Sequence, residues 1–171
     1  MKKLAIMALA CTLMASCGKS DAPVLFPQEN FQTTVDGKEV SIYTLKAGDI
    51  TMQVTNFGAR VVSLWTPDRD GKFDDIVLGY NNIDNYVNNP GERFLGAVVG
   101  PYANRIANGT YTIGEEVYNF PQNNNGQTLH GGLKGLDMVV WDVKEAKDDS
   151  IVLFYMRPDG QDGMPGNLSI T

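Results

Sequence analysis

The feature of this sequence that most constrains its fold is an alternation of apolar and polar side chains that recurs in short runs along the chain. Because successive side chains of a strand point to opposite faces of a sheet, each run predicts a half-buried β-strand. The predicted strands cover residues 40–45, 50–55, 59–65, 76–78, 111–113, 117–120, 139–143 and 151–156. After the N-terminal segment, only residues 83–88 favour helix, and for no more than a turn or two.

Residues that readily adopt positive φ angles separate these runs, as expected between antiparallel strands. Asp36-Gly37 and Asp70-Gly71 are the strongest hairpin signals, and Ala47-Gly48-Asp49, Asn56-Phe57-Gly58 and Ile113-Gly114-Glu115 are further turn candidates. Several short strands joined by regular turns are typical of an antiparallel sandwich or barrel. The sequence therefore predicts an all-β fold.

The charge balance argues against one class of partner. Fourteen Lys and Arg against twenty Asp and Glu give a net charge of −6, and the basic residues form no cluster. A nucleic-acid-binding protein neutralises phosphates with clustered Lys and Arg, so nucleic acid is not an expected partner. The hydrophobic content of 43% and the charged content of 20% are those of a globular domain.

The N-terminal segment predicts export and lipid attachment. Two lysines precede an apolar run at residues 4–15, which is shorter than the roughly 20 residues of a membrane-spanning helix. Met14-Ala15-Ser16-Cys17 resembles the lipobox of bacterial lipoproteins, in which the cysteine carries the lipid. An ordinary signal peptide with an incidental cysteine is the alternative. The predicted organisation is a signal peptide at residues 1–16, a lipid on Cys17 that anchors the protein to a membrane of the cell envelope, and a flexible tether at residues 17–29.

Two long stretches, residues 91–109 and 123–138, lack alternation and are rich in Gly and Asn. Long irregular connections in compact domains tend to carry function, so candidate site residues are sought there. Asn104 and Arg105 place an amide beside a guanidinium, a mixture of donors and acceptors that suits the hydroxyl groups of a neutral sugar. The alternative is an arginine paired with a nearby carboxylate at the end of a loop.

His130 is the single imidazole of the chain, and two glycines follow it. Glycines at this position allow close backbone approach, and an imidazole can donate a proton near neutral pH. The alternative is a histidine whose hydrogen bonds serve structure alone. One histidine, with Cys11 in the predicted signal peptide and Cys17 in the predicted lipid anchor, leaves no ligand set for zinc, so no metal site is predicted.

Two other features give weaker indications of a functional site. The acidic residues of Asp159-Gly160-Gln161-Asp162 do not have the spacing of a calcium loop. Trp65 and Trp141 have ring faces that could stack on a sugar, but both lie in predicted strands and are interpreted as core residues.

The ordered motifs resemble the aldose 1-epimerases, also called galactose mutarotases, over about residues 30–171. The matching stretches are Asn56-Phe57-Gly58-Ala59-Arg60-Val61-Val62-Ser63-Leu64, Asp75-Ile76-Val77-Leu78-Gly79-Tyr80, Phe94-Leu95-Gly96-Ala97-Val98-Val99-Gly100, Asn104-Arg105-Ile106-Ala107-Asn108-Gly109, Leu129-His130-Gly131-Gly132, Gly135-Leu136-Asp137, Val140-Trp141 and Asp159-Gly160 to Pro165-Gly166-Asn167-Leu168. In one respect the chain departs from the family pattern, because Pro101 stands where many members have a basic residue.

The resemblance implies a large antiparallel β-sandwich, of which residues 30–171 would be the N-terminal part. It also implies a reaction that interconverts the α and β anomers of free glucose or galactose without a cofactor. Asn104, Arg105 and His130 match family positions that hold the sugar, and His130 would assist catalysis at the ring oxygen. The family's principal acid histidine and base glutamate match no residue here, so this chain alone is expected to be inactive. The alternative function is a non-catalytic carbohydrate-binding module, and the oligomeric state is left open.

Overall fold

A computed structural model describes residues 22–88 and 92–171, and in these ranges the chain forms thirteen strands and one short α-helix, α1 (Asp84–Val87). The strands are β1 (Thr33–Val35), β2 (Lys38–Val40), β3 (Ile42–Ala47), β4 (Ile50–Thr55), β5 (Arg60–Pro67), β6 (Phe73–Asp75), β7 (Arg105–Ile106), β8 (Thr110–Ile113), β9 (Glu116–Asn119), β10 (Thr128–Leu129), β11 (Asp142–Ala146), β12 (Ile151–Arg157) and β13 (Leu168–Ile170). Short 3₁₀ helices occur at Gln28–Phe31, Ala107–Gly109, Leu136–Met138 and Gln161–Gly163. Every strand pair in the described ranges is antiparallel, so the all-β prediction is confirmed.

The largest sheet contains β3, β4, β5 and β6 in that order. Asp36-Gly37 closes the hairpin of β1 and β2, and Asp70-Gly71 lies between β5 and β6, as the sequence predicts. The sheet buries apolar side chains such as Val54 and Val62. In β4, however, the buried residues include the polar Thr51, Gln53 and Thr55, whereas Ile50 is 46% exposed, so burial there does not follow the apolar positions of the alternating pattern.

The buried apolar side chains form separate clusters. The cluster beside the large sheet contains Phe31, Val40, Ile42, Phe57, Val62, Ile83, Tyr86 and Val140. A second cluster, of Leu136, Val139 and Trp141, packs against the sheet formed by β11, β12 and β13. Trp141 is 3% exposed and donates its indole N–H to the Leu136 carbonyl at 3.1 Å, so its interpretation as a core residue is confirmed. Trp65, in β5, is only partly buried.

The predicted strand at residues 76–78 is wrong. β6 ends at Asp75, and the backbone N–H of Val77 turns back to the Asp75 carboxylate at 3.0 Å. This local hydrogen bond replaces a sheet partner, which ends the strand pairing. Ile76 and Leu78 are 63% and 80% exposed, so their apolar character does not reflect a buried strand.

The packed domain begins before residue 30, where the prediction placed its start. The backbone of Phe26 exchanges two hydrogen bonds with the buried side chain of Gln53, at 2.9 and 3.1 Å, and its ring packs on the core cluster. The predicted tether at residues 17–29 is therefore too long at its C-terminal end. Cys17 and the predicted signal peptide lie outside the described residues. Within the described ranges, no helix has the length and apolar character needed to cross a membrane.

Candidate functional site

The structure brings Asn104, Arg105 and His130 together, as the site hypothesis requires. β7 pairs with β10 so that Arg105 lies opposite Leu129, the residue before His130. The backbone N–H of His130 donates to the Asn104 carbonyl at 3.0 Å, and the backbone N–H of Asn104 donates to His130 Nδ1 at 2.9 Å. These reciprocal bonds join two loops 26 residues apart, at the point where Asn104 leads into β7 and His130 follows β10.

Both residues adopt left-handed backbone conformations, with φ of 65° at Asn104 and 52° at His130. Such angles are uncommon for residues other than glycine, although Asn and His tolerate them better than most. Left-handed residues that are fixed by surrounding contacts cluster at functional sites. Here each turns the chain out of its strand, which leaves the Asn104 side chain exposed and the imidazole half-buried.

The hydrogen bond from Asn104 defines the chemistry of the imidazole. Because Nδ1 of His130 accepts a backbone N–H, the proton of the neutral ring resides on Nε2. The ring therefore presents an N–H donor on its other side. This geometry suits hydrogen bonding to an uncharged oxygen, such as a hydroxyl or ring oxygen.

Arg105 is held by amides rather than by an acid. Its Nε donates to Asn124 Oδ1 at 3.1 Å, and one terminal nitrogen donates to Asn104 Oδ1 at 3.3 Å. In the described ranges no carboxylate lies within the 4.0 Å ion-pair distance of its guanidinium. This contradicts the alternative of a simple surface ion pair. The exposed guanidinium keeps further N–H groups for a neutral, hydroxyl-rich ligand.

A second asparagine holds the histidine loop in place. Asn123 accepts the Leu129 N–H at 2.6 Å and donates to the carbonyls of Leu129 and Gly132 at 2.9 and 2.8 Å. Gly131, with φ of 94°, lies so close to the next loop that a β-carbon there would fall 1.8 Å from the Gly100 carbonyl oxygen. Only glycine fits this approach, as the two glycines after His130 predict.

Sequence reasoning assigned no role to a buried ion pair beneath the site. Asp137 is fully buried and accepts two hydrogen bonds from Arg93, at 2.7 and 2.9 Å. The Arg93 guanidinium lies 4.8 Å from the ring centre of Phe94, and that ring meets the His130 ring edge-on. Asp137 stands shortly after His130, in the Gly135-Leu136-Asp137 motif, whereas Arg93 comes from the other irregular stretch and lies outside the quoted motifs. Only Asp137 therefore had a signal in the sequence.

Two further carboxylates accept hydrogen bonds from loop backbone N–H groups. Asp162 Oδ1 accepts the backbone N–H groups of Leu133 and Lys134 at 2.8 and 3.0 Å, and Asp159 accepts that of Gly166. Among the described residues, no three metal-ligating side chains form a group. The arrangement is therefore a set of neutral and cationic hydrogen-bonding groups on one surface.

Comparison with known proteins identifies the family. The family model described as Aldose 1-epimerase matches residues 41–171. The chain is 40% identical to a protein named probable aldose 1-epimerase from Arthroderma benhamiae, over 75% of this chain and 30% of that protein. It is 35% identical to the galactose mutarotase of Mus musculus, over 78% of this chain and 38% of that protein.

Solved structures show the same relationship at the level of the fold. The GalM/aldose epimerase homologue from C. elegans matches with a TM-score of 0.71 and 30% identity, over 76% of this chain and 40% of that one. Galactose 1-epimerase from Lactobacillus acidophilus matches with a TM-score of 0.68 and 30% identity, over 81% of this chain and 41% of that one. The predicted mutarotase-like fold is therefore confirmed.

The chain spans only about 30–41% of the length of these relatives, as expected for the N-terminal portion of the family's domain. The match covers both irregular loops and the strands that carry them. With loops, fold and sequence in agreement, the chain belongs to the aldose 1-epimerase family.

Proposed function

We propose that Asn104, Arg105 and His130 form the sugar-binding part of an aldose 1-epimerase site that accepts free aldohexoses. The observation that carries the proposal is the reciprocal pair of hydrogen bonds between Asn104 and His130, which gathers the three side chains on one surface. An amide, a guanidinium without a carboxylate partner among the described residues, and an Nε2–H donor match the mixed donors and acceptors of a pyranose. Hydrogen bonds to these three groups do not require the ligand to carry a net charge.

The proposed reaction interconverts the α and β anomers. A general base removes the proton of the C1 hydroxyl, the C1–O5 bond breaks, and a general acid protonates O5. Rotation about C1–C2 then exposes the other face of the aldehyde, and the same proton transfers in reverse close the ring. General acid–base assistance of this kind contributes roughly 10²–10⁴-fold.

In this scheme His130 has an auxiliary role. Its Nε2–H is suited to a hydrogen bond with the ring oxygen, whereas its Nδ1 is already occupied by the Asn104 backbone. We propose that the principal acid and base are absent from these 171 residues, which contain one histidine in all. The protein by itself then binds hexoses without accelerating mutarotation.

Calorimetry tests the binding role. We expect glucose or galactose to bind with a Kd on the order of 1 mM, because three exposed side chains form few contacts. Arg105→Ala should weaken binding by about 10- to 100-fold, the usual effect of losing hydrogen bonds from a charged group. Arg69→Ala, at an exposed turn, is the matched control and should leave the affinity unchanged. Equal affinities for wild type and Arg105→Ala would remove Arg105 from the site.

Polarimetry tests the catalytic part of the proposal. Freshly dissolved α-glucose should relax to its anomeric equilibrium at the same rate with the purified protein as in buffer alone. A rate well above that of buffer would show that these residues contain a complete acid–base pair.

The location of the protein is a separate proposal. We propose that Cys17 carries a lipid that anchors the domain to a membrane of the cell envelope, on the strength of the Met14-Ala15-Ser16-Cys17 motif. Wild-type protein should then sediment with membranes, and Cys17→Ser should be released into the soluble fraction. Identical fractionation of the two proteins would contradict lipid attachment at this residue.

A further inference from the structure

A fully buried carboxylate lies beneath the loop of His130. Asp137 has no exposed surface, and its two carboxylate oxygens accept hydrogen bonds from Nε and one terminal nitrogen of Arg93, at 2.7 and 2.9 Å. A buried charge is tolerated when such bonds compensate its lost hydration, and the two-point contact also fixes the plane of the guanidinium. The pair therefore holds Arg93 in one orientation.

The fixed guanidinium contacts the histidine loop directly and also packs on the Phe94 ring. It donates to the Gly132 carbonyl at 3.3 Å, and its central carbon lies 4.8 Å from the ring centre of Phe94. The Phe94 ring in turn meets the His130 ring with centroids 4.7 Å apart and an interplanar angle of 64°. Edge-to-face contacts of this geometry are attractive as well as restrictive. Direct contacts thus connect the buried Asp137 carboxylate, through Arg93 and Phe94, to the His130 imidazole.

The imidazole needs such a restraint. The hydrogen bond from Asn104 fixes Nδ1, but a single bond leaves the ring free to tilt about it. A tilt would change the direction of the Nε2–H on the opposite side of the ring. The Phe94 ring blocks this movement from one face.

We propose that Arg93 and Phe94, held by Asp137, are positioning residues that set the orientation of the His130 imidazole. The consequence for sugar affinity rests on the proposed function, whereas the orientation of the ring is a property of the protein alone. Neither Arg93 nor Phe94 needs to contact the sugar for this effect.

The single histidine makes the test direct, because ¹⁵N-labelled histidine gives signals from one imidazole only. The NMR spectrum of the wild type should show the Nε2–H tautomer at neutral pH. In Phe94→Leu, which leaves the ion pair in place, the second tautomer should become populated, a change that loss of the Phe94 ring current does not by itself produce. Phe94→Tyr, which keeps an aromatic edge contact, should restore the wild-type spectrum.

Two further variants separate positioning from general stability. Arg93→Lys keeps the charge but loses the planar, two-point contact, so it should shift the imidazole signals in the same direction as Phe94→Leu. Phe154→Leu is the matched control, because Phe154 is also a partly buried ring with a cation, Lys144 Nζ, 4.8 Å from its centre. It should leave the imidazole spectrum unchanged.

The outcomes are distinct. Phe94→Leu should also weaken hexose binding by about 2- to 10-fold, the range for loss of one aromatic contact. A tautomer ratio in Phe94→Leu equal to that of the wild type would overturn the positioning role, even if the thermal midpoint falls. Absence of hexose binding by the wild type would overturn the proposed function instead, while the spectra would still decide whether Phe94 orients His130.

Discussion

Replacing Arg60 with methionine should destabilise the protein severely. Arg60 is fully buried, and its guanidinium donates to the backbone carbonyls of Arg93, Leu95 and Asp137 at 2.7, 2.9 and 2.9 Å. It also lies 4.8 Å from the ring centre of Tyr86. One side chain thus ties together the backbones of two loops that meet beneath the candidate site.

The magnitude follows from these contacts. Methionine fills much of the volume but donates no hydrogen bond, so three carbonyl groups lose their donor at a cost of about 1–3 kcal/mol each. Part of this cost is offset, because burial opposes the charge and lowers the pKa of the Arg60 guanidinium. We expect a net loss of about 3–5 kcal/mol, a large share of the stability of a typical domain.

Urea unfolding followed by circular dichroism measures this loss. Arg69→Met, which replaces an exposed arginine in a turn, is the control and should stay within about 0.5 kcal/mol of the wild type. If Arg60→Met unfolds within 1 kcal/mol of the wild type, which is below the range expected for buried networks, the buried guanidinium is not what joins the loops.

Three further outcomes are expected. Gly131→Ala should abolish hexose binding and lower the thermal midpoint, because the added β-carbon would overlap the Gly100 carbonyl. Gly114→Ala, at a φ of 63° with open space around it, is the control and should lower the thermal midpoint much less. Asn124→Ala should weaken hexose binding by about 2- to 10-fold in calorimetry without changing the thermal midpoint, because it releases one hydrogen bond to the site's arginine; unchanged affinity would contradict this role. The hydrogen bond from Lys38 lowers the pKa of Asp142 below its usual value of 3.8. The pair therefore stabilises the folded protein at pH values above 3.8, and this stabilisation is lost as the pH falls through the lowered pKa of Asp142. In Lys38→Met an NMR titration of the carboxyl group should give a higher pKa for Asp142, and an unchanged pKa would contradict the pairing.

Local patterns predicted the positions of the strands better than their buried faces. The alternating run at residues 50–55 coincides with β4, which has antiparallel partners on both sides. Its buried side chains are mostly the polar ones, because Gln53 hydrogen-bonds to the Phe26 backbone and to Ser63 in the interior. The run at residues 139–143 was only partly right. β11 begins at Asp142, because Val140 and Trp141 pair instead with the turn after β4, through Phe57 and Asn56.

The site was predictable only in part, for a physical reason. Asn104, Arg105 and His130 have side chains whose chemistry is visible in the sequence, and they lie in loops without alternation. What orients them comes partly from neighbours in the chain, such as Asn123, and partly from Arg93, which reaches Asp137 from 44 residues away, and these roles depend on tertiary contacts. No periodicity encodes a contact between a buried carboxylate and a loop, so those residues emerged only from the structure.

The most direct test of the account is an NMR titration of the labelled His130 imidazole with galactose. We predict that the Nε2 signal moves along a saturable curve whose midpoint equals the calorimetric Kd, that Nδ1 moves less because the Asn104 backbone occupies it, and that Arg105→Ala abolishes the change. An Nε2 signal that does not respond to saturating galactose, or that responds equally in Arg105→Ala, would contradict a sugar site built from these three residues.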